Sequence, residues 1–127
     1  MTLLCLLFKY HAPSLYCFLE SNFITIEMYA IPWFITYFST KMDTPELVLQ
    51  FWNKVASQKY DQTYIFFFAL ALVLSNEQKI KSCDMAALPS LMASLRIRDE
   101  AELNMVFKMV EQLEENTPYS FIQLPEL

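Results

Sequence analysis

The chain has 127 residues, nine Lys and Arg against fourteen Asp and Glu, and a formal charge of −5. That balance excludes a nucleic-acid binder, because affinity for a phosphate backbone comes from clustered Lys and Arg. The only two arginines, Arg96 and Arg98, stand in one short stretch flanked by Asp99 and Glu100. The length suits one domain, or a piece of one, at about 100–200 residues per domain.

Glycine is absent altogether. An ordinary frequency of about 7% would supply roughly nine. Phosphate loops of the P-loop or G-x-G-x-x-G kind are therefore excluded, since they need residues without a Cβ for backbone N–H groups to approach phosphate. Tight β-hairpins lean on Gly at positive φ, whereas helices joined through Pro, Asn, Asp and Ser can dispense with it. Hydrophobic residues reach 55% and charged ones only 18%, against about 45–50% and about 25% in ordinary domains. Such a surplus fits a membrane protein or a piece that packs against something else. The longest uninterrupted apolar run, Tyr64 to Leu74, has eleven residues, well short of the ~20 that cross a bilayer. No transmembrane segment is expected. Leu3, Leu4, Cys5, Leu6, Leu7 and Phe8 imitate a signal-peptide core, but no basic residue precedes them and no small-residue cleavage site follows. Cys5, Cys17 and Cys83 leave one thiol unpaired in any scheme and form no C-x-x-C spacing, which points to a reducing, cytoplasmic setting.

Helix signals recur along the whole chain. Thr2 to Tyr10 is an apolar helix, and Pro13 suits the first turn of a second, Pro13 to Ser21. Thr25 can cap a third, which Pro32 then kinks or restarts. Thr44 as N-cap, Pro45 and Glu46 open an amphipathic helix whose apolar face is Leu47, Phe51 and Val55 with Val48 and Trp52 beside it. The run from Tyr64 to Leu74 is apolar on every side and reads as a central, enclosed helix. Glu77 to Ser82 is charged and water-facing, and Asp84 and Pro89 bound a short helical stretch ending near Leu95. In the last helix Asp99 and Glu102 form a D-x-x-E variant of the capping box, and Leu103, Val106, Phe107, Val110 and Leu113 mark its inner face. The expected fold is all-α, an irregular array of about seven helices.

No self-contained chemistry emerges from these residues. His11 is the sole histidine, so any Cys-His or Ser-His pair must use it. Pro13 interrupts the helix between it and Cys17, and no cation or orienting carboxylate adjoins Cys5 or Cys17. The sequence casts His11 as a polar residue at a helix junction and Cys5 and Cys17 as small buried residues. Glu100, Glu102, Glu111, Glu114 and Glu115 spread over a solvated helix face. Trp33, Phe34, Tyr37, Phe38 and Trp52 fall at helical spacing and read as core. Catalytic, cofactor-binding and metal-ligating residues are all expected to be absent.

One ordered series of landmarks adds to this. It runs Tyr10-His11-x-Pro13-x-Leu15, then Tyr29-Ala30-x-Pro32-Trp33-Phe34-x-Thr36-x-Phe38, then Phe51-Trp52-Asn53, then the apolar helix from Ile65 to Leu72. The series resembles the C-terminal subdomain of a TBC domain, the family of Rab GTPase-activating proteins, over about residues 3 to 88. Thr117-Pro118-x-Ser120-Phe121 weakly resembles the extension of a Golgi-associated TBC subfamily that also carries a rhodanese-like domain. The resemblance implies a Rab-type small GTPase as partner and an all-α fold. In active members an inserted arginine and glutamine act beside the bound GTP. Those side chains belong to motifs, I-x-x-D-x-x-R and Y-x-Q, that lie upstream of the matched stretch and are expected to be absent from this chain. Arg96 and Arg98 lie beyond the family core, so neither is carried over as a finger.

The family usually has Asp where this chain has Asn53, which removes a negative charge. Pro13, Tyr29, Pro32, Trp33, Phe34, Phe38, Trp52 and Asn53 are thus the signature residues, with structural roles; Trp33 and Trp52 are expected in the core. The resulting expectation is the C-terminal half of a TBC domain over 1–88 with a helical extension over 89–127 packed on it. It would have a missing N-terminal half as a second partner and no enzymatic activity of its own. Its setting would be cytoplasmic, with peripheral attachment to Golgi or endosomal membranes. The alternative is a noncatalytic helical tether or adaptor in membrane trafficking.

Overall fold

Prolines and polar caps decide where the helices begin. The computed structural model describes residues 2–36, 38–58 and 61–117, and within them the chain forms eight α-helices and two 3-10 turns. This is one helix more than about seven, because the charged stretch after the central helix closes a short helix of its own. Helices α1 (Thr2–His11) and α2 (Pro13–Ser21) meet at Ala12, and Pro13 occupies the first turn of α2, where its missing N–H would have no helical partner anyway. Helix α3 (Ile26–Ile35) follows Thr25, whose backbone is extended as an N-cap should be but whose hydroxyl makes no capping bond.

Pro32 neither ends nor restarts α3, which runs through it to Ile35. A proline inside a helix forfeits one i→i−4 bond. Here the same turn buries Tyr29, Ala30 and Trp33, and Thr36 closes the helix by donating both its N–H (3.1 Å) and its hydroxyl (3.0 Å) to the Pro32 carbonyl. Packing of the inner face thus outweighs the lost bond.

Helix α4 (Pro45–Ala56) starts as its sequence dictates, with Thr44 Oγ1 accepting from Leu47 N at 3.3 Å. Leu47, Phe51 and Val55 are its buried stripe. Helix α5 (Asp61–Leu74) is enclosed by α1, α4 and α8, and Tyr64 and every residue from Phe67 to Val73 are buried. Helix α6 (Glu77–Ser82) turns Ile80 inward and pairs Glu77 with Lys81 at 3.0 Å on its wet side. A 3-10 turn, Met85–Ala87, leads into α7 (Leu88–Ser94).

Helix α8 (Glu100–Glu115) packs on α5. Phe107 meets Phe68 with ring centroids 5.9 Å apart, and the charges of Glu111 and Glu114 act on Tyr64, so the two helices run antiparallel. Asp99 caps α8 by accepting from Glu102 N at 2.9 Å. The reciprocal bond of the expected capping box is displaced by one residue: Glu102 Oε2 accepts from Arg98 N at 3.4 Å.

Without glycine, left-handed backbone falls to phenylalanine. Phe23 and Phe38 both have φ of 64°. At the end of α2, Ile24 N donates to Leu19 O (2.8 Å) and Phe23 N to Glu20 O (2.9 Å), the paired bonds of a Schellman stop with Phe23 where Gly usually stands. Ile24 and Leu19, which flank that turn, are both buried. At the end of α3, Phe38 N donates to Trp33 O at 2.8 Å. The expectation that Pro, Asn, Asp and Ser would carry the junctions is corrected in these two places.

The one strand-like pairing among the described residues is an isolated parallel bridge between Met42 and Ile97. Ile97 N donates to Lys41 O (2.7 Å) and Asp43 N to Ile97 O (3.0 Å), which clips the segment before α8 to the segment before α4. No helix among the described residues is long and apolar enough to cross a membrane.

Candidate functional site

The signature residues divide into a packed cluster and an exposed set. Tyr29 and Trp33 lie one turn apart on the inner face of α3, with ring centroids 5.4 Å apart. Trp33, 1% exposed, reaches Phe38 at 6.2 Å. Phe38 is the hub: its ring also meets Phe34 (5.4 Å), Phe51 of α4 (5.4 Å) and Phe68 of α5 (5.2 Å). Phe34, half-buried, touches Phe66 at 5.1 Å, and Phe51 packs at a tilt on Phe68 at 4.5 Å. Tilted and edge-on pairs at these separations contribute about 0.5–1.5 kcal/mol each beyond simple burial, so α3, α4, α5 and α8 are held in register by one continuous aromatic contact. The left-handed backbone at Phe38 is what aims its ring into the middle of this cluster.

Pro13, Pro32, Trp52 and Asn53 stand outside it. Trp52 is 43% exposed, which corrects its expected place in the core. Leu47, Phe51 and Val55 define the inward direction of α4, and Trp52 follows Phe51 by one residue, about 100° around the helix. Asn53 is exposed, and its side chain makes no hydrogen bond to a described residue. Tyr37 and residues 118–127, including the end of the Thr117-Pro118-x-Ser120-Phe121 pattern, lie outside the described residues.

Lys41 links this cluster to the segment before α8, and nothing in the sequence marked it. Its Nζ lies 5.7 Å from the centre of the Trp33 ring and donates to Ala93 O at 2.6 Å. Burial lowers its pKa from the usual value, and the nearby Arg96 charge adds to the effect. Arg96 Nε in turn pairs with Asp43 at 2.7 Å.

The residues weighed for chemistry are dispersed. His11 Nε2 sits 2.7 Å from Thr117 Oγ1, and that hydroxyl donates to Leu113 O at 2.6 Å. With the Thr117 proton committed, Nε2 must be the donor, so the imidazole carries its proton there. This latch ties the end of α1 to the end of α8, and burial lowers the His11 pKa. Cys5 Sγ lies 3.3 Å from the Tyr16 hydroxyl, which donates to Glu20 at 2.7 Å. Cys5 is half-buried and Cys17 exposed; neither is the enclosed residue expected, since Cys17 falls between the buried Leu15 and Leu19 on α2. Glu100, Glu111 and Glu115 are solvated, but Glu102 and Glu114 are partly buried. Burial, and then the neighbouring Glu111, raise the Glu114 pKa. Among the described residues no group of three or more His, Cys, Asp and Glu is placed to hold a metal ion. A Y-x-Q string, expected to be absent, does occur in the sequence as Tyr60-Asp61-Gln62, but it comes after the Trp33 and Trp52 landmarks rather than before them.

No solved structure matches the chain. The family model described as the Rab-GTPase-TBC domain matches residues 1–81, from α1 into α6, and so takes in the whole signature series and most of the aromatic cluster. TBC domains bind Rab GTPases and activate their GTP hydrolysis. With well over half of its length matched, and with an all-helical architecture, the chain belongs to the Rab-GTPase-TBC domain family.

Proposed function

We propose that this chain supplies helical scaffold and part of the GTPase-facing surface of a TBC domain, and that it binds a Rab-type small GTPase without itself accelerating GTP hydrolysis. One observation carries the second half of this reading. Both arginines, Arg96 and Arg98, lie outside the matched residues, and Arg96, in the segment between α7 and α8, is anchored to Asp43. An inserted arginine contributes about 10³–10⁵ in rate to GTP hydrolysis, and within the matched residues there is none to insert. On this reading residues 1–88 form the family part and 89–127 an extension, and the family's N-terminal half is a second partner. The setting is cytoplasmic, at the surface of Golgi or endosomal membranes.

The test is a panel of GTP-loaded Rab proteins in two formats. Pull-down should show capture that depends on GTP over GDP, and single-turnover phosphate release should proceed at the intrinsic rate. A clear increase in phosphate release refutes the loss of activity; capture of none of the panel refutes Rab binding. A tether or adaptor role is the second reading, favoured by Met28, Ile31 and Ile35, exposed at i, i+3 and i+7 on α3, the spacing of a helix-docking face. Nucleotide-independent capture of a helical partner, abolished by Ile31→Lys, would support it.

A further inference from the structure

Both arginines of this acidic chain line a single cleft. It has a volume of about 260 Å³ and opens where the end of α5, α6, the end of α7 and the start of α8 converge. Leu72, Ile97 and Val106, each about 1% exposed, give it an apolar floor, while Lys79, Arg96 and Arg98 stand around it. Lys41 adjoins the cleft, since its Nζ is bonded to Ala93 O, one residue before the lining Ser94. Against these four cations stand three carboxylates, Asp43, Glu102 and Asp99, the last next to Arg98. Asp43 holds Arg96 Nε at 2.7 Å, and Glu102 Oε2 accepts from Arg98 N at 3.4 Å. The local excess is one positive charge in a molecule whose net charge is −5. Neither Lys79 nor Arg98 forms an ion pair with a described residue. Asp99, the neighbour of Arg98, is already engaged as the cap of α8.

We propose that this cleft binds a small organic phosphate monoester, with its dianionic head among Lys79, Arg96 and Arg98 and its apolar portion against Met105. The anionic head of the ligand answers this local excess of positive charge. Planar guanidinium groups match phosphate oxygens bidentately. The Arg96–Asp43 pair and the Met42–Ile97 bridge hold the arginine segment in place before any ligand arrives, so little side-chain ordering is left to be done on binding. A volume just under the 300–1,000 Å³ typical of drug-sized ligands selects a small molecule, and Met105, half exposed at the cleft, gives its hydrocarbon part a surface to lie on.

Isothermal titration of the full chain with phenyl phosphate at low salt tests this. Saturable one-to-one binding is expected, weakening as salt is added. Lys79→Gln and Arg98→Gln should each weaken it about fivefold, Glu102→Gln should tighten it about twofold, and Lys108→Gln, on the outer face of α8, should leave it unchanged. Phenol, the same ring without the charge, and inorganic phosphate, the same charge without the ring, should both bind more weakly than phenyl phosphate. No saturation by ~10 mM ligand, unchanged affinity in Arg98→Gln with an unaltered circular dichroism spectrum, or a loss in Lys108→Gln equal to that in Arg98→Gln would each overturn the proposal.

Discussion

Phe23 and Phe38 share one backbone geometry and have opposite surroundings, which makes them a controlled comparison of strain against burial. Both hold φ at 64°, where a residue with a Cβ is disfavoured by about 1 kcal/mol relative to glycine. Phe23 is 82% exposed, whereas Phe38 is fully buried among Trp33, Phe34, Phe51 and Phe68. Replacing Phe23 by Gly removes the strain, loses little packing and adds freedom to the unfolded chain, so the expected change lies between neutral and about 1 kcal/mol of stabilisation. Replacing Phe38 by Gly gains the same relief but forfeits a ring whose truncation costs about 3–5 kcal/mol, for a net loss of about 2–4 kcal/mol. Phe38→Ala keeps the strain and loses the ring, and should fall about 1 kcal/mol below Phe38→Gly. Urea denaturation followed by circular dichroism reads all three. If Phe38→Ala is as stable as Phe38→Gly, the strain argument is wrong; if Phe38→Gly loses no more than Phe23→Gly, the aromatic cluster does not hold the fold together.

Tyr64 buries its hydroxyl with no hydrogen-bond partner among the described residues, so Tyr64→Phe should be neutral to about 1 kcal/mol stabilising; a loss of similar size in the denaturation midpoint would reveal a bond there. His11 is held below its ordinary pKa of 6.5 by burial, so the unfolded chain takes up the proton more readily than the folded one. Its contribution is fully present above about pH 6.5 and drains away as the pH falls through the folded value. Midpoints measured from pH 7.5 to 5 should decline less in His11→Gln than in the parent, and parallel declines would dismiss the latch as the cause. Phe23, Met28, Ile31 and Ile35 are exposed in and around α3, so the isolated chain should self-associate in light scattering and Met28→Lys with Ile35→Lys should reduce it; a monodisperse parent chain contradicts this.

Local chemistry was legible wherever a single element decided it. Pro13, Thr44 with Pro45, and Asp99 mark helix starts because caps and missing N–H groups act within four residues, and the enclosed α5 was readable because eleven consecutive apolar residues leave a helix no wet side. The ordered landmarks from Tyr10 to Leu72 carried the family for the same reason: they are positions in a string.

What the string does not hold is direction and distance. Trp52 and Phe51 are equally apolar neighbours, yet only the angle between α4 and α5 sends one into the cluster and leaves the other exposed. Pro32 reads in the sequence as a kink or a restart, and the burial of Tyr29 and Trp33 around it keeps α3 continuous. Lys41 meets Ala93 across 52 residues of sequence, and His11 meets Thr117 across 106; no periodicity reports a contact between elements so far apart. The same holds for the two arginines, which read as an ordinary charged stretch until α5, α6, α7 and α8 close around them. Sequence determined the helices and their family, through interactions within a turn or two. Tertiary packing alone decided which faces meet, because burial is settled between elements and not within them.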